Sequence, residues 1–202
     1  MTQKSDPTSE TLSYYSENAT KFAEGTVGVD MREFYDEFLP LLPEGGTILD
    51  AGCGSGRDTK YFLEHDYDVV AFDNCPEIVT IASEYTDHNI QLLSFSDVNF
   101  IDQFDGVWAC ASLLHVSSDK LPHALLRLSK SLKPNGILYT SFKFGIGEVV
   151  RGKRFFRDYT ESSFDNLLKG LSDFKLIKYW KTSDLRPGRQ NEKWLNILVR
   201  KI

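Results

Sequence analysis

The sequence predicts an α/β protein: a seven-stranded, mostly parallel sheet that closes on an antiparallel terminal hairpin. Three observations carry that expectation. Strand-like and helix-like segments alternate from residue 47 to residue 143, which calls for right-handed crossovers between parallel strands. Two closing strand-like runs, FKLIKYWKT and WLNILVRKI, are joined by SDLRPGRQNEK, too short for a helical crossover, so they pair antiparallel. The stretch GTILDAGCGSGRDTKYF, residues 46–62, places three alternating glycines between a strand and a helix.

Residues 1–10 are polar with one proline and are expected to be disordered. Residues 11–202 read as a single domain, with N-terminal helices over 11–45 and the core from 46 onward. Leu12, Tyr15, Ala19, Phe22 and Ala23 fall near helical spacing, and Gly25 ends that helix. MREFYDEFLPLL is a second helix and TILDA the first strand. A helix from residue 58 to about 65 leads to the strand DVVAFD, and PEIVTIASEYT is the next helix. IQLLSF and FDGVWACA are the third and fourth strands. DKLPHALLRLSKSL carries an apolar stripe of Leu121, Ala124, Leu125, Leu128 and Leu132, and GILYTSFK is the fifth strand. A long connection, residues 144–159, precedes the helix TESSFDNLLKG and the closing hairpin.

Bulk properties narrow the function. The 202 residues carry a formal net charge of −6, so long-range attraction to nucleic acid or an anionic membrane is not expected. MTQKSDPTSE has no apolar signal region, and no apolar run approaches the roughly 20 residues needed to span a bilayer, which points to a cytoplasmic protein. Three cysteines without a CxxC argue against a disulfide framework or structural zinc, and no metal-ligand cluster is visible. Cys53, Cys75 and Cys110 end or follow strands; they read as small buried residues rather than one thiolate site.

A dinucleotide turn needs G-x-G-x-x-G, but the sixth position counted from Gly52 is Arg57, which disfavours a nicotinamide oxidoreductase. The pattern present is Asp50, Gly52, Gly54, Gly56. Asp73 ends the second strand, where an acid accepts from ribose hydroxyls; capping the next helix is its plainer role.

With these landmarks in order, LDAGCGSG resembles the first signature of class I S-adenosylmethionine-dependent methyltransferases, and the likeness covers about residues 14–201. The resemblance implies a Rossmann-like methyltransferase fold, S-adenosyl-L-methionine as cofactor and S-adenosyl-L-homocysteine as product, without a metal. It implies that the loop of Gly52, Cys53, Gly54 and Gly56 lets the cofactor's amino-acid end lie close. Asp50 would meet the ammonium directly or through water, with Arg57 as a partner for that carboxylate. Asn74 would sit beside adenine, Asp97 would accept from its amino group and the Val98 N–H would serve a ring nitrogen. Asp97 as an ordinary turn residue remains open. Cys110 falls at the carboxyl end of the fourth strand, beside the cofactor. The segment CASL lacks the (D/N)PP(Y/F) clamp of base N-methyltransferases. In GSGRD and in size the chain also resembles the tellurite-resistance methyltransferases, although its ending departs from them.

His115 is the candidate general base, with a backbone-bonded structural histidine as the alternative. Around the carboxyl edge, the connection after the fifth strand and the closing hairpin concentrate basic residues. Lys143, Arg154, Arg186 and Arg189 are candidate ligands for a small anionic acceptor, with Arg186 and Arg189 foremost; solvated surface charge is the plainer alternative. Tyr14, Tyr15, Phe22, Phe155 and Phe156 would wall the site. The expected function is methyl transfer to a small-molecule acceptor by in-line displacement. An RNA or protein methyltransferase, or a catalytically silent cofactor-binding module, are the alternatives. Oligomeric state is not legible.

Overall fold

The structure, a computed structural model, describes residues 7–202. The first six residues of the segment expected to be disordered lie outside that range. From Pro7 onward the chain is helical, so residues 7–10 correct that expectation. Helix α1 (Pro7–Glu24) bends at Asn18, whose φ and ψ of −125° and 18° are not helical and whose amide donates to the Tyr14 carbonyl at 2.8 Å. Helix α2 (Arg32–Phe38) runs into a single 3-10 turn at Leu39–Leu41, where Pro40 cannot continue the α-helical ladder.

The sheet then builds outward from its centre. Strand β1 (Thr47–Ala51), helix α3 (Arg57–Glu64), strand β2 (Asp68–Asp73), helix α4 (Pro76–Thr86) and strand β3 (Ile90–Leu92) form one half. Strand β4 (Phe104–Ala109), helix α5 (Leu121–Ser131) and strand β5 (Leu132–Lys143) form the other. Two further strands, β6 (Gly147–Arg151) and β7 (Arg154–Asp158), pair with each other, and helix α6 (Glu161–Leu168) follows. Strands β8 (Phe174–Ser183) and β9 (Lys193–Lys201) close the chain. The order across the seven-stranded sheet is β3-β2-β1-β4-β5-β9-β8. The first five strands pair in parallel, and β9 pairs antiparallel with both β5 and β8. Strand order therefore reverses between β1 and β4, and a crevice opens there at the carboxyl ends.

Alternation along the strands fills a core on each face. Leu49, Val107 and Leu138 pack with the apolar stripe of α5, whereas Ile48, Trp108 and Tyr139 pack with Phe38 and Phe62 of the other layer. All six strand residues are fully buried.

The connection 144–159 is a β-hairpin rather than an irregular loop. Arg151 pairs with Arg154 across a two-residue turn in which Gly152 has φ 64°. A left-handed first turn residue matches the twist of the flanking strands, and RGKR between two apolar pairs is the sequence signal for it. His115, the candidate general base, ends a 3-10 turn at Leu113–His115.

Candidate active site

A cavity of about 980 Å³ opens at the crevice between β1 and β4. Its floor is the glycine loop, where Gly52, Gly54 and Gly56 adopt φ 78°, 57° and 79°. The first two line the cavity with Cys53. A Cβ on Gly52 would lie 2.5 Å from the Ser112 Cβ, so only glycine lets the β1 and β4 loops approach this closely. On the opposite side of the crevice the chain leaves β4 through Ala111, itself at φ 52° and on the cavity wall.

Asp73 closes one side of the loop. Its carboxylate accepts from the Gly54 N–H and the Cys75 N–H, each at 3.1 Å, and burial raises its pKa. It lines the cavity beside Asn74, Ile78, Leu93 and Phe95, an acid next to an apolar recess.

Beneath the floor lies a buried polar network. Arg57 donates to both carboxylate oxygens of its neighbour Asp58, at 2.7 and 2.8 Å. Asp58 also accepts from the Tyr35 hydroxyl at 2.5 Å and Trp108 Nε1 at 2.8 Å. Asp50 accepts from the Thr59 hydroxyl at 2.6 Å. Burial, with the Asp58 carboxylate adding to it, pushes Asp50 up to about 8. Asp58 itself is held below the ordinary range: burial opposes this, but the Arg57 charge and three hydrogen-bonding partners outweigh it. The expected partnership of Arg57 with Asp50 is thus corrected, because the adjacent Asp58 offers both oxygens to the guanidinium fork.

Several expected ligands stand away from the cavity. Asp50 and Gly56 do not reach its wall, and neither do Asp97 and Val98. Asp97 is exposed and closes its own turn, accepting from the Ser94 hydroxyl at 2.5 Å. Val98 is buried, with its carbonyl engaged by Arg127 at 2.8 Å. Cys110 does line the cavity, its thiol pushed up to about 12 mainly by burial.

Helix α1 and the β6–β7 hairpin roof the cavity. The Phe155 N–H donates to the Thr11 hydroxyl at 2.9 Å, tying the two together. Strand alternation on β7 turns Arg154 and Phe156 to the cavity and leaves Phe155 outside its wall. His115 Nδ1 contacts the Phe155 carbonyl at 2.6 Å and must carry the proton there. Its Nε2 therefore accepts from the Tyr15 hydroxyl at 2.9 Å. Burial pulls His115 down to about 4, so it stays neutral near pH 7. With both ring nitrogens engaged, His115 holds Tyr15 in place; it is a poor proton acceptor as it stands.

Most of the basic residues around the cavity are paired internally, which revises the expectation of free anion ligands. Lys143 is buried between Asp184 at 2.9 Å and Glu192 at 2.5 Å, with its ammonium 4.0 Å from the Trp194 ring centroid. Arg186 grips Asp184 through two nitrogens at 2.9 and 2.6 Å. Arg151 grips Asp158, and Arg189 stands 3.9 Å from Glu192. Arg154 differs: among the described residues no carboxylate lies within ion-pair distance of it. Its guanidinium stands 4.7 Å from the Tyr14 ring centroid, 5.9 Å from Tyr15 and 5.2 Å from Phe156. Asp58, Asp184, Glu192 and Trp194, all on the wall, were not anticipated as site residues: Asp58 follows Arg57 directly at the start of α3, whereas the β8–β9 pairing brings the other three there.

A glycine-floored crevice at the strand-order reversal, with an acid ending β2, is the arrangement in which Rossmann-like α/β folds hold nucleotide cofactors. Residues 49–140 match the methyltransferase domain family model, from within β1 to within β5. The chain is 31% identical over 109 residues to the ubiquinone biosynthesis O-methyltransferase of Xanthomonas axonopodis pv. citri, covering 50% of this chain and 44% of that protein. The chain thus spans about half the length of such curated relatives, or less. Among solved structures, the 1,6-didemethyltoxoflavin-N1-methyltransferase of Burkholderia thailandensis, with 1,6-didemethyltoxoflavin and S-adenosylhomocysteine bound, superposes with a TM-score of 0.76 at 23% identity, covering 100% of this chain and 92% of that one. A TehB-like S-adenosylmethionine-dependent methyltransferase of Corynebacterium glutamicum gives a TM-score of 0.65 at 19% identity, covering 98% and 100%. These likenesses show the fold of S-adenosylmethionine-dependent methyltransferases.

Proposed function

We propose that this chain transfers a methyl group from S-adenosylmethionine to a small acceptor carrying an anionic group. The observation that carries this reading is one cavity bounded by the glycine loop and Asp73 at one side and by Arg154 and aromatic rings at the other. About 980 Å³ lies at the upper end of ligand-pocket sizes, which suits a cofactor and a small acceptor together.

The residues present fit the cofactor. The left-handed, Cβ-free loop at Gly52 and Gly54 leaves backbone exposed to a ligand, as side chains would not. Each Asp73 oxygen accepts one backbone N–H and keeps a lone pair for a ribose hydroxyl. Leu93 and Phe95 with Asn74 offer an apolar recess with one polar edge for adenine. When bound, S-adenosylmethionine supplies an electrophilic methyl carbon on a sulfonium, open to in-line displacement by an acceptor's lone pair. The protein's part is to orient and to dry the site: α1 and the β6–β7 hairpin cover it, and Tyr15, fixed by His115, adds a wall with a hydroxyl.

Calorimetry with S-adenosylmethionine, S-adenosylhomocysteine and NAD tests the cofactor. Micromolar binding of the first two, weakened by Asp73→Asn, is expected; binding of NAD alone would overturn the reading. Labelled methyl transfer to a metabolite extract then tests the acceptor, and label appearing in RNA or protein instead would move the substrate class.

A further inference from the structure

We propose that Arg154 is the seat for the acceptor's anion, and that the acceptor is a flat, aromatic carboxylic acid bound as its monoanion. This rests on the methyltransferase reading of the cavity above.

Five arginines line the cavity: Arg57, Arg151, Arg154, Arg186 and Arg189. Four of them face an internal carboxylate, on Asp58, Asp158, Asp184 and Glu192 respectively. Lys143 has two such partners, and the exposed Lys193 donates to the Ser183 hydroxyl at 2.7 Å. Arg154 has none. Its Nε is buried with no hydrogen-bond partner among the described residues. The Tyr15 hydroxyl, which donates to His115, accepts from the Arg154 guanidinium, but it is neutral, supplies no counter-charge and leaves Nε unmet.

A buried guanidinium donor without an acceptor is unfavourable, since it has lost water and gained nothing in exchange. The rings of Tyr14, Tyr15 and Phe156 stabilise the cation through their faces but accept no strong hydrogen bond. An acceptor anion supplies what is missing. One guanidinium without a counter-charge matches one negative charge, and its planar fork matches the two oxygens of a carboxylate. A phosphate dianion calls for two cations close together; the other arginines and Lys143 of this wall are paired with carboxylates, and the remaining cation, Lys193, is exposed and bonded to the Ser183 hydroxyl. The same three rings, with Phe22 also on the wall, give a flat apolar body something to pack on.

The test uses the full chain saturated with S-adenosylhomocysteine and matched probes: benzoate against benzamide, and indole-3-carboxylate against indole-3-carboxamide, with acetate and inorganic phosphate alongside. Calorimetry should show the aromatic carboxylates binding at least about tenfold more tightly than their amides, and more tightly than acetate or phosphate. Arg154→Gln should abolish that preference. Arg154→Lys should lose most of it, because a point charge does not reproduce the fork. S-adenosylhomocysteine affinity should persist in both variants, which reports an intact fold. If S-adenosylhomocysteine fails to bind the wild type, the methyltransferase reading falls. If it binds but carboxylates show no preference over amides, or phosphate binds best, this proposal falls. A preference that survives Arg154→Gln but disappears in Arg189→Gln would also overturn it.

Discussion

Tyr15 and His115 lie 100 positions apart, yet the Tyr15 hydroxyl donates to His115 Nε2 at 2.9 Å and so fastens the roof helix to the end of the fourth strand. Tyr15→Phe removes the donor and leaves a buried ring nitrogen unpaired. A loss of about 1–2 kcal/mol in urea unfolding is expected.

The same histidine makes stability depend on acid. Its folded pKa of about 4 lies below the ordinary 6.5 because of burial. A base depressed in this way favours the fold fully above pH 6.5 and loses that contribution as pH falls toward 4, at up to about 1.4 kcal/mol per unit. Unfolding free energies of wild type minus His115→Gln should fall across that window and stay level above it.

Asp50 acts in the opposite sense. Its folded pKa of about 8 lies above the ordinary 3.8, so ionising it opposes the fold, and stability drops as pH climbs from about 4 to about 8. Asp50→Asn keeps an oxygen for the Thr59 hydroxyl and cannot ionise. The variant should gain on wild type steadily across that range in denaturant titrations, and a flat difference would contradict the buried, raised carboxyl.

Gly52→Ala and Gly54→Ala should separate clearly. Both place a side chain at positive φ, which costs about 1 kcal/mol. At Gly52 the new Cβ also meets the Ser112 Cβ at 2.5 Å, whereas at Gly54 it meets the Phe22 ring at 3.3 Å, a side chain on the roof helix that has room to shift. Chemical denaturation should show about 3 kcal/mol lost for Gly52→Ala and about 1 kcal/mol for Gly54→Ala.

Asp184 accepts from Lys143, Arg186 and Trp194 Nε1 while almost fully buried. Asp184→Asn leaves Arg186 without its counter-charge and Lys143 with Glu192 alone, and should cost about 3 kcal/mol at pH 7. Burial works to raise this carboxyl, but the Arg186 and Lys143 hydrogen bonds outweigh it and hold it well below the usual range. Its stabilisation is present above pH 3.8 and lost below, so the gap between variant and wild type should narrow only in strong acid.

Much of this was legible beforehand because it is local. Apolar periodicity marked the helices and strands, and the short final connection required an antiparallel pair. The β6–β7 hairpin is written in the same local terms, since RGKR between apolar pairs is a turn signal. Asp97 and Val98 were expected at adenine through the family resemblance, with a plain turn role open for Asp97, and a resemblance in sequence does not say which way a turn faces.

The sequence by itself determined the parallel strands, their antiparallel ending and the glycine turn, because backbone conformation and alternating burial follow from residue type over a few positions. Only the tertiary structure decided which charges remain available. Lys143, Arg186 and Arg189 look like anion ligands in one dimension, but strand pairing sets them against Asp184 and Glu192. Among the described residues Arg154 is left without a counter-charge, because β7 turns it toward three aromatic rings. Ion pairing acts over a few ångströms in space, and residue spacing along the chain does not fix that distance.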